Sequence, residues 1–137
     1  MRCRILVIES EPYLANKLFS IFTEGGFATV VASDYPKALM QMERFNPDMV
    51  IMESVLPDKD GFEVCSEFHN RFHVPVILLG QDLSARAWER AVESGADHYE
   101  VKPYRYLSLV ARMKAILRYR PVASTSKRRA DNETKDH

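Results

Sequence analysis

The hydrophobic positions of the chain fall into five short runs separated by longer, mixed stretches. Runs this short and this apolar are typical of strands buried on both faces of a parallel sheet. They are Ile5 to Ile8, Ala28 to Ala32, Met49 to Met52, Val74 to Leu79, and Tyr99 with Val101. The pattern therefore predicts five strands.

Between these runs, apolar residues recur at intervals of three and four, which is typical of helices that bury one face. The five groups are Leu14, Leu18, Ile21 and Phe22; Ala38, Leu39 and Met42; Phe62, Cys65 and Phe68; Ala85, Trp88 and Val92; Val110, Met113 and Leu117. Gly25 and Gly26 should end the first helix, Asn46 and Pro47 the second, and Pro75 should open the fourth strand.

Strict alternation of strand and helix predicts an α/β fold, a doubly wound five-stranded parallel sheet with helices on both faces. In such a fold, ligands bind at the carboxyl ends of the strands. Residues 1–120 form one domain in this interpretation. Residues 121–137 carry one branched aliphatic residue and no aromatic residue, which predicts a disordered tail or the start of a linker.

Composition narrows the functional classes. Basic and acidic residues both number 19, so no overall field draws the domain to nucleic acid, and we expect no direct nucleic-acid binding. The triplet Lys127 to Arg129 is interpreted as a solvated charge run. No apolar run is long enough to span a bilayer and no signal-peptide pattern is present, so we expect a cytoplasmic protein that does not contact membranes.

The two cysteines lack metal-ligand spacing and lie inside predicted elements. Cys3 falls in the first strand and Cys65 in the middle helix. Free cysteine is among the most buried residue types, so we expect both to be reduced core residues.

Charged residues follow three of the predicted strands, where they should meet at one edge of the sheet. Glu9 and Glu11 follow the first strand, Glu53 ends the third, and Lys102 follows the fifth. Acids facing a lysine are compatible with a cation site that includes a charge-sensing ammonium group. A partly exposed network of ion pairs explains the same pattern, and chemistry alone leaves both interpretations open.

Five blocks of sequence, in order and at matching spacing, resemble the receiver domains of two-component response regulators. They are Ile5 to Pro12, Pro47 to Pro57, Asp60 to Cys65, Val74 to Leu79, and Gly95 to Pro103. The resemblance covers residues 2 to about 120 and implies a flavodoxin-like fold of five βα units. It also implies a role in two-component signal transduction and the phosphorelay.

The residues at the family's phosphorylation pocket differ from the usual pattern. The family's paired aspartates, which hold magnesium, correspond to Glu9 and Ser10, and its phosphoacceptor aspartate corresponds to Glu53. The hydroxyl residue after the fourth strand corresponds to Gly80, which has no side chain. Of the five pocket positions, only Lys102 is retained, although the aromatic switch residue is also kept, as Tyr99.

These differences predict a degenerate pocket with no catalytic role. Glu53 is one methylene longer than aspartate, which places its carboxylate out of line for attack. Ser10 is a weak, neutral ligand, so we expect doubtful magnesium binding and no metal or other cofactor. Glu53 and Lys102 should instead be paired or bridged by water, on the expectation that they end neighbouring strands. The alternative is an active receiver that uses a non-standard carboxylate, for which Asp58 and Asp60 are candidates in an ordinary turn.

The resemblance also implies an output surface on the fourth helix, fifth strand and fifth helix. Its switch and interface residues would be Trp88, Arg90, Asp97, Tyr99 and Arg112. We expect a protein partner or a homodimer there, and hence a phosphorylation-independent signalling module with a role in transcription regulation. Trp88 is either an exposed interface anchor or a cap on the core beneath the fourth helix.

Overall fold

Each strand of the sheet is followed by a helix. The computed structural model describes residues 2–119, and the predicted tail lies outside them. The strands are β1 Arg4–Ile8, β2 Ala28–Ala32, β3 Met49–Glu53, β4 Val76–Gly80 and β5 His98–Val101. The helices are α1 Pro12–Glu24, α2 Tyr35–Phe45, α3 Gly61–Phe72, α4 Ala85–Glu93 and α5 Tyr106–Tyr119.

All five strands are parallel and lie in the order β2-β1-β3-β4-β5. The predicted doubly wound five-stranded sheet is confirmed. The apolar runs mark the strands because β3 and β4 are buried along their whole length. β4 begins at Val76, so Pro75 precedes this strand rather than opening it.

Two hydrophobic layers cover the faces of the sheet. One includes Phe68 of α3 and Ala87 of α4, and the other includes Phe22 of α1 and Met113 of α5. Burying a side chain as large as phenylalanine stabilises a fold by about 1.5–3 kcal/mol. These layers cover both faces of the sheet, so ligands can approach the strands only at their ends.

Side-chain oxygens cap the first turns of four helices. Glu11, Asp34, Asp60 and Ser84 accept hydrogen bonds from the first turns of α1 to α4, respectively. These caps satisfy backbone N–H groups that have no partner inside a helix. They therefore fix where the loops at the carboxyl edge end and the helices begin.

The two cysteines differ in burial. Cys65 is buried and its Sγ lies 3.6 Å from the carbonyl oxygen of Ser94, as expected for a core residue. Burial raises the pKa of the Cys65 thiol to about 11. Cys3 precedes β1 and is half-buried, and it packs against the edge of the hydrophobic layer that contains Phe22. No helix within residues 2–119 combines the length and the apolar composition needed to cross a bilayer.

Candidate functional site

The pocket positions meet at the carboxyl edge of the sheet. Glu53 ends β3, Gly80 ends β4, and Glu9 and Lys102 directly follow β1 and β5. Strand register places them side by side, because Glu53 pairs with Leu79 and Gly80 pairs with Val101. The backbone N–H of Lys102 also donates to the Gly80 carbonyl at 2.8 Å.

Glu53 and Lys102 form a direct ion pair. Lys102 Nζ donates to Glu53 Oε1 at 2.5 Å, and the side chains are 22% and 11% exposed, respectively. The pairing predicted from the sequence is present. The expectation that the two residues end neighbouring strands was wrong, because β4 lies between β3 and β5. The Lys102 side chain therefore crosses the end of β4 to reach Glu53.

Glu9 is a second buried acid beside this pair. It is 4% exposed, and its Oε2 accepts from the Glu11 N–H at 3.0 Å. Its Oε1 has no hydrogen-bond partner among the described residues. Burial and the Glu9 carboxyl raise the pKa of Glu53 to about 7, although Lys102 acts in the opposite direction. The edge thus holds two acids and one ammonium group.

The donor set at this edge does not suit a magnesium ion. Ser10 is exposed, and one Glu53 oxygen is held by Lys102. Within residues 2–119, no group of three or more His, Cys, Asp or Glu side chains is arranged to hold a metal ion. Magnesium requires near-ideal octahedral coordination by oxygen ligands. The unpartnered Oε1 of Glu9 is one suitable ligand and does not by itself supply such a set.

Tyr99 fills the space beside Gly80. A Cβ atom added at Gly80 would lie 2.5 Å from the Tyr99 hydroxyl oxygen, 2.8 Å from its Cε1 and 2.9 Å from Ser54 Oγ. The Tyr99 hydroxyl donates to the Asp82 carbonyl at 2.8 Å, and the residue is 2% exposed. Any side chain at position 80 would therefore displace Tyr99 from this inward position.

The Tyr99 ring is packed between two other aromatic residues. Trp88 of α4 meets it edge to face with ring centroids 5.0 Å apart, and Phe62 of α3 lies 6.2 Å away. Trp88 is nevertheless 42% exposed. The sequence left open whether Trp88 is an exposed interface anchor or a cap on the core. The structure combines the two, because Trp88 packs on the buried Tyr99 and is still partly exposed.

The three charged residues expected at a dimer interface are not equivalent. Arg90 forms an ion pair with Asp60, and its guanidinium lies 4.3 Å from the centre of the Phe62 ring. The Asp97 carboxylate is half-buried and accepts from the Val76 N–H at 2.9 Å. Arg112 is exposed on α5. Two of the three thus have partners within the domain, and Arg112 is the one that faces solvent.

Sequence reasoning missed several residues of this region. Ser54 and the carbonyl of Asp82 contact the space around Gly80 and Tyr99, but nothing in the sequence marks a backbone carbonyl as an acceptor. Asp60 caps α3 through the Phe62 N–H, in agreement with the turn interpretation. Its second role is the ion pair with Arg90, which lies 30 positions away in the sequence. No local sequence pattern predicts a contact over that separation.

Comparisons with known proteins agree with this geometry. The response regulator receiver domain family matches residues 5–114. The chain is 36% identical over 118 residues to the DNA-binding response regulator MtrA of Mycolicibacterium smegmatis, covering 86% of this chain and 52% of the relative. It is 37% identical over 114 residues to the sensory transduction protein RegX3 of the same organism, covering 83% and 50%.

The fold has close counterparts among solved structures. A two-component response regulator from Clostridium difficile superposes with a TM-score of 0.82 at 27% identity, covering 85% of this chain and 97% of that one. The BeF3-activated N-terminal receiver domain of RstA from Klebsiella pneumoniae superposes with a TM-score of 0.79 at 26% identity, covering 84% and 98%. The chain spans about half the length of the curated relatives that it matches.

Proposed function

Because the chain belongs to the response regulator receiver domain family, we propose that it is an atypical receiver whose interactions do not depend on phosphorylation. The observation that carries this proposal is the contact between Gly80 and Tyr99. The Tyr99 hydroxyl stands where a side chain at position 80 would begin, and it is hydrogen-bonded to the Asp82 carbonyl. Position 80 therefore offers no hydroxyl to bind a phosphoryl group, and Tyr99 is held inward without one.

The Glu53–Lys102 pair supports the same proposal. A phosphoryl group would bring up to about two negative charges and three acceptor oxygens to this edge. Glu53 brings at most one charge, and Lys102 is already engaged with it. The pair thus substitutes for only part of a phosphoryl group.

The proposal includes weak magnesium binding and no phosphotransfer activity. Both reactions of an active receiver, self-phosphorylation and hydrolysis of the acyl phosphate, need an aspartyl nucleophile and a bound metal ion. Here the acceptor position is Glu53 and a metal-ligand position is the exposed Ser10. The competing function, an active receiver using Glu53, Asp58 or Asp60, would require phosphate at one of these carboxylates.

The output is proposed to be contact with a protein through α4, β5 and α5. Trp88 and Val92 lie one helical turn apart on α4 and are 42% and 75% exposed. Arg112 adds an exposed cation on α5. A second copy of the domain is the proposed partner, and a role in transcription regulation is proposed from the DNA-binding relatives.

Amide spectra of the isotopically labelled protein test this function. Acetyl phosphate with magnesium should leave the signals of Gly80, Trp88 and Tyr99 in place. The matched control carries Ser10→Asp and Glu53→Asp, which return carboxylates of the usual length to the metal and acceptor positions. The control should respond to the same treatment. Movement of the Tyr99 and α4 signals in the unmodified protein would refute the proposal.

A further inference from the structure

A cavity of about 500 Å³ lies beside the degenerate pocket. It is bounded by the loops that follow β3 and β4 and by one side of α4, and Glu53 and Gly80 stand at its inner end. Cavities of this size accommodate small organic molecules. It therefore provides a space in which a ligand would contact both the carboxyl edge of the sheet and the helix of the output surface.

Three apolar or aromatic side chains form part of the cavity wall. Phe62, Ala87 and Tyr99 line it from α3, α4 and β5. Tyr99 and Ala87 are 2% and 4% exposed, so the half-buried Phe62 offers more open apolar surface than either of them. Pockets of this kind, with aromatic walls and a few polar groups, favour ligands with a flat apolar body.

The α4 wall of the cavity is cationic. Arg86 and Arg90 both line it, one helical turn apart. Arg90 is fixed by Asp60 and by the Phe62 ring. Arg86 makes only loose contacts with Glu89 at 3.4 Å and Glu93 at 3.7 Å.

The Arg86 contacts are readily exchanged for a ligand, because all three of these side chains are more than 60% exposed. A guanidinium group is well suited to bind a carboxylate through two parallel hydrogen bonds.

The two acids that line the cavity are both engaged. Glu53 accepts from Lys102, and the Asp82 carboxylate accepts from the Ser84 N–H at 2.8 Å. Arg86 is therefore the charged lining group with the weakest present contacts. This leaves an exposed cation beside the half-buried Phe62 ring, a combination suited to an anion with a planar body.

We infer that this cavity binds a small planar organic carboxylate, with its ring system against Phe62 and its carboxylate on Arg86. The inference is independent of phosphorylation at Glu53. Because such a ligand would contact α4 through Arg86, its binding would act on the helix that carries Trp88. A metabolite of this class would then provide the input that phosphate provides in other receivers.

A titration with naphthalene-1-carboxylate, followed by amide spectra, tests the inference. The expected result is saturable binding, with shifts at Phe62, Ala87 and Tyr99. Naphthalene-1-carboxamide has the same body without the charge and should bind at least about tenfold more weakly, because it cannot form the charge-assisted pair with Arg86. Equal affinity for the two compounds, or no saturable binding of the carboxylate, would overturn it.

Two variants locate the site. Arg86→Gln removes an exposed cation and should weaken carboxylate binding by about fivefold or more, whereas Arg118→Gln on α5 should not change it. Ala87→Leu fills the cavity and should abolish binding, with the folded state checked by its amide dispersion. Unchanged affinity in Arg86→Gln, or shifts centred on Val92 and outside the cavity, would refute the assigned site even if Ala87→Leu failed to fold.

Discussion

The Tyr99 hydroxyl oxygen lies 2.5 Å from the point that a Cβ atom would occupy at Gly80. The inward position of Tyr99 thus requires a residue without a side chain at position 80. Because the Tyr99 ring also packs on Trp88, the missing side chain at the edge of the sheet is coupled to the exposed face of α4. A side chain introduced at position 80 is therefore expected to alter the packing of Tyr99 against Trp88.

Gly80→Ala should destabilise the protein and move Tyr99. Forcing a methyl group into a filled space costs about 1–3 kcal/mol, measurable as a lower free energy of unfolding in urea. Gly25→Ala is the matched control, because its Cβ would approach no atom closer than 3.3 Å. In the background of Tyr99→Leu the cost of Gly80→Ala should fall by more than half. An undiminished cost would show that Tyr99 is not the obstacle.

Glu53 should make stability depend on pH. Its pKa is about 7 in the folded protein against 4.5 for an ordinary glutamate. The folded state therefore holds the proton more tightly, and this stabilisation is complete below about pH 4.5 and lost as the pH rises through about 7. The loss is on the order of 2 kcal/mol.

Glu53→Gln should abolish this part of the pH dependence. The free energy of unfolding, measured by heat or urea between about pH 4 and pH 8, tests this expectation. Glu24→Gln, at an exposed site on α1, is the control for the loss of one charge. Identical pH profiles for Glu53→Gln and the unmodified protein would show that Glu53 does not hold a proton in this way.

Arg112 and Asp97 should respond differently to charge reversal. Arg112→Glu should weaken self-association without affecting folding, because Arg112 is exposed. Asp97→Lys should instead lower stability by about 1–3 kcal/mol, since it removes the acceptor for the Val76 N–H. Sedimentation velocity over a concentration series, with Lys114→Glu as a control on α5, separates these effects. An unchanged oligomeric state in Arg112→Glu would eliminate the proposed dimer.

Magnesium should bind the unmodified protein weakly. Calorimetric titration should give no saturable heat at millimolar magnesium, because Glu9 is the one pocket acid not already held by Lys102. The Ser10→Asp, Glu53→Asp protein should show saturable binding under the same conditions, since hard cations prefer carboxylate ligands. Tight binding by the unmodified protein would contradict the proposed loss of the metal site.

Most of the fold could be predicted because each buried strand corresponds to a short run of apolar residues in the sequence. The runs ending at Ala32 and near Glu53 correspond to strand ends, and glycine or proline follows the first two helices. The start of β4 was misplaced by two residues because Val74 is buried outside the strand. Apolar composition reports burial, and it does not mark the residue at which ladder hydrogen bonding begins.

The site was predictable only in part. Glu53 and Lys102 were found because both lie at strand ends, but strand order, which sets β4 between them, is not encoded in either segment. The inward position of Tyr99 depends on the space at Gly80 and on a backbone carbonyl of Asp82. Such contacts arise from tertiary packing, so the sequence identified the members of the site without the arrangement that links them.

Intact-mass measurement after incubation with acetyl phosphate and magnesium tests the central claim most directly. The account predicts that the unmodified protein gains no phosphoryl group, while the Ser10→Asp, Glu53→Asp protein gains one in the same reaction. The second result shows that the donor, metal ion and detection are adequate. A stable gain of one phosphoryl group in the unmodified protein, mapped to Glu53, Asp58 or Asp60, would contradict the account.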